Sequence, residues 1–202
     1  MNVELPQVPS AIIPLESIVQ RLDPAKLFSK SQPLEIEMGS GDGSFLAQYA
    51  AAHRDHNFIG VERLLGRIRK LDRKSQRLGL GNLRVARIEA AYFLEYLLPR
   101  KSAEALHIYF PDPWPKRKHR KNRLINARFP QLAQGALAPG GQVYLRTDDL
   151  DYFTQMKSVF GSCPAFREIP MPDALTEVLT DFERGFLKRG VQTLRFAVKL
   201  IN

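Results

Sequence analysis

Residues 34–43, Leu34-Glu35-Ile36-Glu37-Met38-Gly39-Ser40-Gly41-Asp42-Gly43, join a short apolar strand to a glycine-rich turn. The glycines permit a tight turn and a close approach of the backbone to a ligand. Ser44 follows and can cap a helix that runs through Phe45, Leu46, Tyr49 and Ala50. A strand, a tight turn and a helix in this order predict the first half of a βαβ unit.

The same alternation of strand and helix continues to the end of the sequence. We expect strands at 34–38, 57–62, 83–88, 105–110, 143–146, 166–169 and 192–200, and further helices at about 64–78, 91–98, 123–137 and 150–160. Right-handed crossovers between such strands give an α/β fold with a doubly wound, mostly parallel sheet. Ligands of these sheets bind beyond the carboxyl ends of the strands, so the strand ends are the candidate sites.

The chain divides into an N-terminal extension, residues 1–32, and a main domain, residues 33–202. Prolines punctuate the extension, which we expect to pack on the main domain with a short helix near 15–22. The first six residues lack the basic start and the apolar core of a signal peptide.

Composition favours a polyanionic partner. The 202 residues include 30 Lys and Arg against 21 Asp and Glu, which gives a net charge of +9. The one cysteine, Cys163, cannot form an intrachain disulfide, so a reducing cytoplasm is the expected location. No apolar run approaches the roughly 20 residues of a membrane helix. We therefore expect no membrane association. The four histidines show no metal-ligand spacing, so we expect no metal site either.

Three glutamates end three consecutive predicted strands. Glu37 precedes the glycine turn, Glu62 ends the second strand, and Glu89 follows the third. A dinucleotide fingerprint would need a third glycine at Ser44, so that pattern fails. Glu37 suits a cofactor with an amino group and a sulfonium, Glu62 can accept from ribose hydroxyls, and Glu89 can accept from an adenine amino group. Each alone is more often a polar residue leaving a strand, but three together predict a site.

A second motif follows the fourth predicted strand, at Phe110-Pro111-Asp112-Pro113-Trp114-Pro115-Lys116. The prolines leave Asp112 little backbone freedom, and Trp114 is the only tryptophan of the sequence. Lys116 to Arg123 then places six Lys and Arg in eight positions. A fixed carboxylate beside an aromatic ring and a cationic run is typical of a site for a base of a polyanion. A proline-rich turn followed by a solvated charge run is the alternative.

With these residues the sequence resembles the bacterial tRNA (guanine-N7-)-methyltransferases, which are class I S-adenosylmethionine-dependent enzymes. The resemblance runs from about residue 33 to residue 200, and its motifs are Glu37 to Gly43, Gly60-Val61-Glu62, Asn82 to Val85, Phe110 to Trp114, Arg146-Thr147-Asp148 and Thr180-Asp181-Phe182-Glu183. The glycine motif occurs in many methyltransferases. The P-D-P-W motif with its basic run and the downstream T-D and T-x-F-E motifs are far more specific to the family.

The resemblance implies a three-layer fold whose seven-stranded sheet has its last strand antiparallel. It implies S-adenosylmethionine as cofactor and N7 of a guanosine in the variable loop of tRNA as acceptor. The matching cofactor-binding positions are Glu37, Gly39, Gly41, Glu62, Glu89 and Asp112, and Asp112 is also the catalytic position. The RNA positions are Lys116, Asp148, Thr180, Asp181, Phe182 and Glu183. Two departures stand out, because the family usually has Asp at Glu89 and His or Gly at Pro115.

Orientation and charge are the chemical problems of this reaction. Guanine N7 has a lone pair and no proton, so its methylation needs no general base on the attacking atom. We therefore assign Asp112 to accept from the Watson–Crick N–H groups of the base, which orients the ring and stabilises the developing positive charge. Two basic surfaces are expected to follow the RNA backbone: the first is Lys116, Arg117, Lys118, Arg120, Lys121 and Arg123, and the second is Arg67, Arg69, Lys70, Arg73 and Lys74.

Two other functions stay open at this point. One is methylation of another RNA acceptor, such as an exocyclic amine, although amine methyltransferases often place two prolines directly after the acidic or amide residue. The other is a non-catalytic RNA-binding module on the same fold, which would not need the acidic and glycine positions. The sequence leaves the choice between monomer and homodimer open.

Overall fold

The computed structural model describes residues 8–201, and its centre is one seven-stranded sheet. The strands are β1 (Leu34–Met38), β2 (Asn57–Glu62), β3 (Leu83–Arg87), β4 (Ala103–Tyr109), β5 (Leu137–Thr147), β6 (Phe166–Ile169) and β7 (Leu194–Leu200). Their spatial order is β3-β2-β1-β4-β5-β7-β6. Strands β1 to β5 are parallel, whereas β7 is antiparallel to both β5 and β6. The predicted α/β fold with its antiparallel last strand is confirmed.

Helices cover both faces of the sheet, which makes three layers. They are α1 (Pro24–Leu27), α2 (Leu46–Ala52), α3 (Leu65–Arg77), α4 (Ala90–Tyr92) with a π-helical turn at Phe93–Leu97, α5 (Phe129–Ala136), α6 (Leu150–Gly161), α7 (Asp173–Glu177) and α8 (Asp181–Leu187). A 3₁₀ turn at Arg117–Asn122 lies between β4 and α5. One apolar core lies between the sheet and α5, α6 and the π-helical turn, and a second lies between the sheet and α2 and α3.

Strand β4 contributes to both cores, because a central parallel strand is buried on both faces. Leu106 and Ile108 belong to the core on the α5 and α6 side, while Ala105 and Tyr109 belong to the opposite core. His107 between them is buried, with Nε2 2.5 Å from Glu35 Oε2. His107 is thus a core residue, and its strand delivers the P-D-P-W motif to the carboxyl edge of the sheet.

The N-terminal segment lies beside β3, the edge strand. Ile12 pairs with Val85 in a parallel bridge, the Ile13 N–H donates to the Val85 carbonyl (2.9 Å), and the Val85 N–H donates to the Ala11 carbonyl (2.8 Å). This pairing satisfies backbone groups that an open sheet edge would expose. Residues 1–7 of the expected extension lie outside the described residues.

Two predicted helices are wrong in position. No helix forms at 15–22, and the first one begins at Pro24, where the Asp23 carboxylate accepts from the Ala25 N–H (3.0 Å). Helix α5 begins only at Phe129, with Pro130 in its first turn, where a missing N–H costs nothing. The preceding basic run has like charges within one turn of each other and forms a 3₁₀ turn instead.

Candidate active site

A cleft of about 530 Å³ opens at the carboxyl ends of β1 to β4. Four of the six predicted cofactor residues line it, namely Gly39, Glu62, Glu89 and Asp112. Of the other lining residues, Arg67 was expected in the second basic surface, and Phe110, Pro111 and Trp114 belong to the predicted P-D-P-W motif. The lining residues to which no role was assigned are Met38, Val61, Arg63, Leu64, Ile88, Ala90, Tyr109, Asn122 and Leu124. Most of them are next in sequence to a predicted residue at a strand end, and this position was the signal that could have identified them.

The glycine turn has the backbone conformation that only glycine adopts readily. Gly39, Gly41 and Gly43 have φ values of 79°, 56° and 75°. A Cβ added to Gly43 would lie 2.2 Å from Leu71 Cδ1, so this glycine also permits α3 to pack closely. Gly41 does not line the cleft, but its N–H donates to Glu62 Oε2 (3.1 Å) and ties the turn to β2.

Ser44 does not cap α2, and that prediction is wrong. Helix α2 begins at Leu46 after Phe45, which makes no side-chain capping bond. Ser44 Oγ instead accepts from the Asp181 N–H (3.1 Å) at the start of α8. The hydroxyl therefore connects the glycine turn to the T-x-F-E segment, a long-range contact that local pattern does not reveal.

Glu37 does not itself line the cleft, but it directly precedes Met38 and Gly39, which do, and it is 3% exposed. Burial raises the pKa of its carboxyl group well above the ordinary value, against the opposing effect of Arg146 and together with the repulsion of Asp42 and Glu62. Within the described part of the chain, Glu37 Oε2 has no hydrogen-bond partner. A buried acceptor without a donor fits a cationic amino group, which S-adenosylmethionine carries.

Glu62 and Glu89 make backbone bonds and keep acceptor capacity. Glu62 Oε1 accepts from the N–H groups of Arg63 (2.7 Å) and Leu64 (2.8 Å). Glu89 caps α4, where its carboxylate accepts from the N–H groups of Ala91 and Tyr92. A carboxylate offers about four lone-pair sites, so each side chain can still accept from a ligand in the cleft.

The loop 110–114 carries Asp112 into the cleft. Phe110 and Trp114 have φ values of 52° and 43°, which for residues with a Cβ costs roughly 1–2 kcal/mol each. Asp112 lies midway between them, is exposed, and lines the cleft together with Trp114. Two strained residues thus turn the chain sharply at the end of β4 and present one carboxylate.

Arg123 corrects the predicted RNA-facing cluster. Its side chain is 1% exposed, and its Nε donates to the Pro113 carbonyl (2.7 Å) rather than facing solvent. Lys116, Arg117, Lys118 and Lys121 are exposed beside the cleft. Arg120 is exposed as well and pairs with Asp151 at 3.0 Å.

The T-x-F-E segment divides into buried and exposed residues. Thr180 and Glu183 form the capping box of α8 and are buried. Glu183 Oε2 also accepts from Arg146 Nη1 (2.7 Å), a buried ion pair that fastens α8 to β5. Asp181 and Phe182 are exposed, and so is Asp148 at the end of β5. Three of these five predicted RNA residues therefore present side chains to solvent.

The second basic surface lies on α3. Arg69, Lys70 and Arg73 are exposed, while Lys74 pairs with Asp42 at 3.0 Å and Arg67 lies 3.8 Å from Glu62. Among residues 8–201, no cluster of His, Cys, Asp and Glu is arranged to hold a metal ion. No helix in the same range is long and apolar enough to cross a membrane.

Sheet order, antiparallel last strand and cleft together define a class I methyltransferase, whose methyl donor is S-adenosylmethionine. Solved structures agree with this fold. The 16S rRNA methyltransferase KamB superposes with a TM-score of 0.63 over 90% of this chain and 94% of its own, at 14% identity. TrmN from Thermus thermophilus superposes with a TM-score of 0.61 over 84% of this chain and 45% of its own, at 17% identity.

Sequence comparisons identify the family within this class. A family model described as a putative methyltransferase matches residues 31–196. A tRNA (guanine-N(7)-)-methyltransferase of Syntrophotalea carbinolica is 34% identical over 90% of this chain and 79% of its own length. Its counterpart in Sodalis glossinidius is 37% identical over 88% of this chain and 77% of its own length. The chain belongs to the tRNA (guanine-N(7)-)-methyltransferase family.

Proposed function

We propose that this protein methylates N7 of a guanosine in the variable loop of tRNA, in the cytoplasm, with Asp112 as its catalytic residue. The observation that carries the proposal is the shared cleft: Asp112 lines it together with Gly39, Glu62 and Glu89. The carboxylate that would contact the base and the residues that would bind the methyl donor therefore line the same cleft. The exposed basic run 116–121 adjoins that space and supplies the charge for a polyanion.

Three glutamates and one glycine would hold the cofactor. Glu37 offers the buried free acceptor to an amino group, Gly39 permits close backbone approach, Glu62 accepts from ribose hydroxyls, and Glu89 from the adenine amino group. When bound, S-adenosylmethionine supplies an electrophilic methyl group attached to a sulfonium. Gly41 acts behind them, because its N–H fixes Glu62.

Asp112 acts on the guanine base rather than on a proton of the attacking atom. N7 has a lone pair and carries no proton, so the chain has no base catalysis to supply there. A carboxylate that accepts from the Watson–Crick N–H groups orients the ring and stabilises the positive charge that methylation creates. Phe110 and Trp114, with their positive φ values, shape the loop that presents this carboxylate.

The RNA residues fall into two roles. Lys116, Asp148, Asp181 and Phe182 have exposed side chains and contact the RNA. Thr180 and Glu183 are buried, so they act by holding α8 in place beneath Asp181 and Phe182. Extruding a nucleotide from folded RNA costs a few kcal/mol, which phosphate contacts along the basic run offset.

Nucleoside mapping tests the proposal. The purified protein is incubated with unmodified bulk tRNA and S-adenosylmethionine, and the digested RNA is analysed by mass spectrometry. We expect N7-methylguanosine in fragments that contain the variable loop. A methyl group on an exocyclic amine, or on guanosines elsewhere, would contradict the proposed acceptor.

The non-catalytic RNA-binding module is tested by calorimetry with S-adenosylhomocysteine, the product of the donor. The cleft with its glutamates and glycine turn predicts saturable binding of one molecule per chain. A protein that binds tRNA but shows no heat with S-adenosylhomocysteine would instead be a module on a methyltransferase fold.

A further inference from the structure

Arg123 makes contacts that the basic run around it does not share. Its guanidinium donates to three acceptors: Nε to the Pro113 carbonyl (2.7 Å), Nη1 to Gln155 Oε1 (2.7 Å) and Nη2 to Asp151 Oδ2 (2.6 Å). Its Cζ also lies 4.7 Å from the centre of the Tyr152 ring. With 1% exposure it offers no surface to a phosphate, so its function differs from that of its neighbours.

These contacts join two parts of the molecule. Pro113 belongs to the loop 110–114, between Asp112 and Trp114, whereas Asp151, Tyr152 and Gln155 lie on the first turns of α6. Helix α6 packs in the core against β5 and is therefore a rigid support. A planar guanidinium with donors in a fixed fork is the side chain that can bind a backbone carbonyl, an amide oxygen and a carboxylate at once.

The loop needs such a support. Phe110 and Trp114 hold left-handed conformations that residues with a Cβ avoid, so an unsupported loop would relax. Asn122 and Leu124, the neighbours of Arg123, line the same cleft as Asp112 and Trp114. Without the hydrogen bonds of Arg123, the loop would therefore be released at the position that presents Asp112.

We propose that Arg123 is a positioning residue for the reaction: it anchors the Pro113 carbonyl to α6 and so holds the Asp112 carboxylate against the bound base. This rests on the proposed function, because it assigns Arg123 a part in that same site. The group does not touch the base or the donor, and its effect passes through the loop backbone.

Trp114 makes the loop directly observable, since it is the only tryptophan in the sequence and adjoins Pro113. The test compares the wild-type full chain with Arg123→Lys, which keeps the charge facing Asp151 but cannot bind all three acceptors. Three quantities are measured: acrylamide quenching of Trp114 fluorescence, the single-turnover rate of methyl transfer at saturating S-adenosylmethionine, and the affinity for tRNA. The free energy of unfolding is measured in urea beside them.

We expect Arg123→Lys to remain folded, with Trp114 more accessible to acrylamide and tRNA affinity close to that of the wild type. The single-turnover rate should fall by about 10²-fold, the usual effect of a small displacement of a reacting group. Arg128→Lys is the matched control, because Arg128 is an exposed arginine outside both basic surfaces that pairs with Glu95 and makes no bond to Pro113. Its Trp114 quenching should equal that of the wild type.

Unchanged quenching and an unchanged rate in Arg123→Lys would overturn the proposal. So would a rate that falls only in proportion to the unfolded fraction, since that marks a purely structural residue. If Arg123→Lys does not fold, Gln155→Met replaces it and should shift Trp114 quenching in the same direction; no shift would overturn the proposal. If the wild type fails to methylate tRNA, the proposed function fails, while the fluorescence still decides whether Arg123 holds the loop.

Discussion

Glu37 combines deep burial with an unused acceptor. The residue is 3% exposed, and within residues 8–201 Oε2 accepts no hydrogen bond. Burial raises its pKa well above the ordinary value of 4.5. An uncompensated buried carboxylate is costly, and a cationic amino group placed there removes most of that cost. Glu37 thus lowers the free energy of unfolding of the cofactor-free protein and increases the affinity for the cofactor.

Replacing Glu37 with Gln should weaken binding of S-adenosylhomocysteine by about 10- to 100-fold, since a bond between two charged groups is removed. The ionised carboxylate is the form that binds the amino group. Affinity of the wild type should therefore rise as pH rises through the elevated pKa of Glu37. Calorimetry over a pH series checks both points, and an equally steep pH dependence in the Gln variant would assign the titration to another group.

The same raised pKa predicts an effect on stability without cofactor. A carboxyl group whose pKa is higher in the folded than in the unfolded state contributes stability below pH 4.5, and this is lost as pH rises through the folded value. The Glu37→Gln variant cannot ionise at this position, so it should not lose this contribution as pH rises. Its free energy of unfolding at neutral pH should therefore exceed that of the wild type. Urea titrations at several pH values measure this. Glu16→Gln, at an exposed position, is the control.

Helix α8 depends on buried bonds at its first turn. Arg146 donates to Glu183 and to the carbonyl groups of Val178 and Leu175, and the Thr180–Glu183 capping box closes the helix end. Breaking a buried pair leaves an unpaired charge, so Glu183→Gln should lower the free energy of unfolding by about 3–5 kcal/mol. Arg184→Ala removes only exposed contacts, the pair with Asp181 and a hydrogen bond to the Leu179 carbonyl (2.8 Å), and should cost about 1 kcal/mol or less. Urea titrations measure both free energies of unfolding, and equal decreases in the two variants would show that the buried pair does not stabilise α8.

The 3₁₀ turn at Arg117–Asn122 carries the basic run. Changing Lys116, Arg117 and Lys118 to Ala should weaken tRNA binding and flatten its dependence on salt, by about 0.7–0.9 in log–log slope for each phosphate that is no longer neutralised. The control changes Lys26, Lys30 and Arg100, three exposed residues at the amino edge of the sheet, with the same change in charge. Salt titrations of tRNA binding that give both triple variants the same slope would place the RNA elsewhere.

On the scale of the whole molecule, the sequence predicted what local chemistry determines. Strand β6 lies at the predicted residues 166–169, and Glu62 and Glu89 reach one cleft because parallel strands end at one edge. The burial of Arg123 was not predictable, since six basic residues in eight positions carry no sign of which one turns inward. The partner of Ser44 lies 137 residues away in the sequence, and Ile12 pairs with Val85 of β3, which is also far from it along the chain. Such contacts depend on the finished packing, not on local sequence preference.

The central claim is that Asp112, held at the mouth of the cofactor cleft, acts on the guanine base. Single-turnover methyl transfer to tRNA by Asp112→Ala, at saturating S-adenosylmethionine, tests it most directly. Asp112 is exposed, so the fold and tRNA affinity should be kept. The predicted result is a rate lower by about 10²- to 10³-fold, as for removal of a group that stabilises charge in the transition state. A rate near that of the wild type would contradict the account.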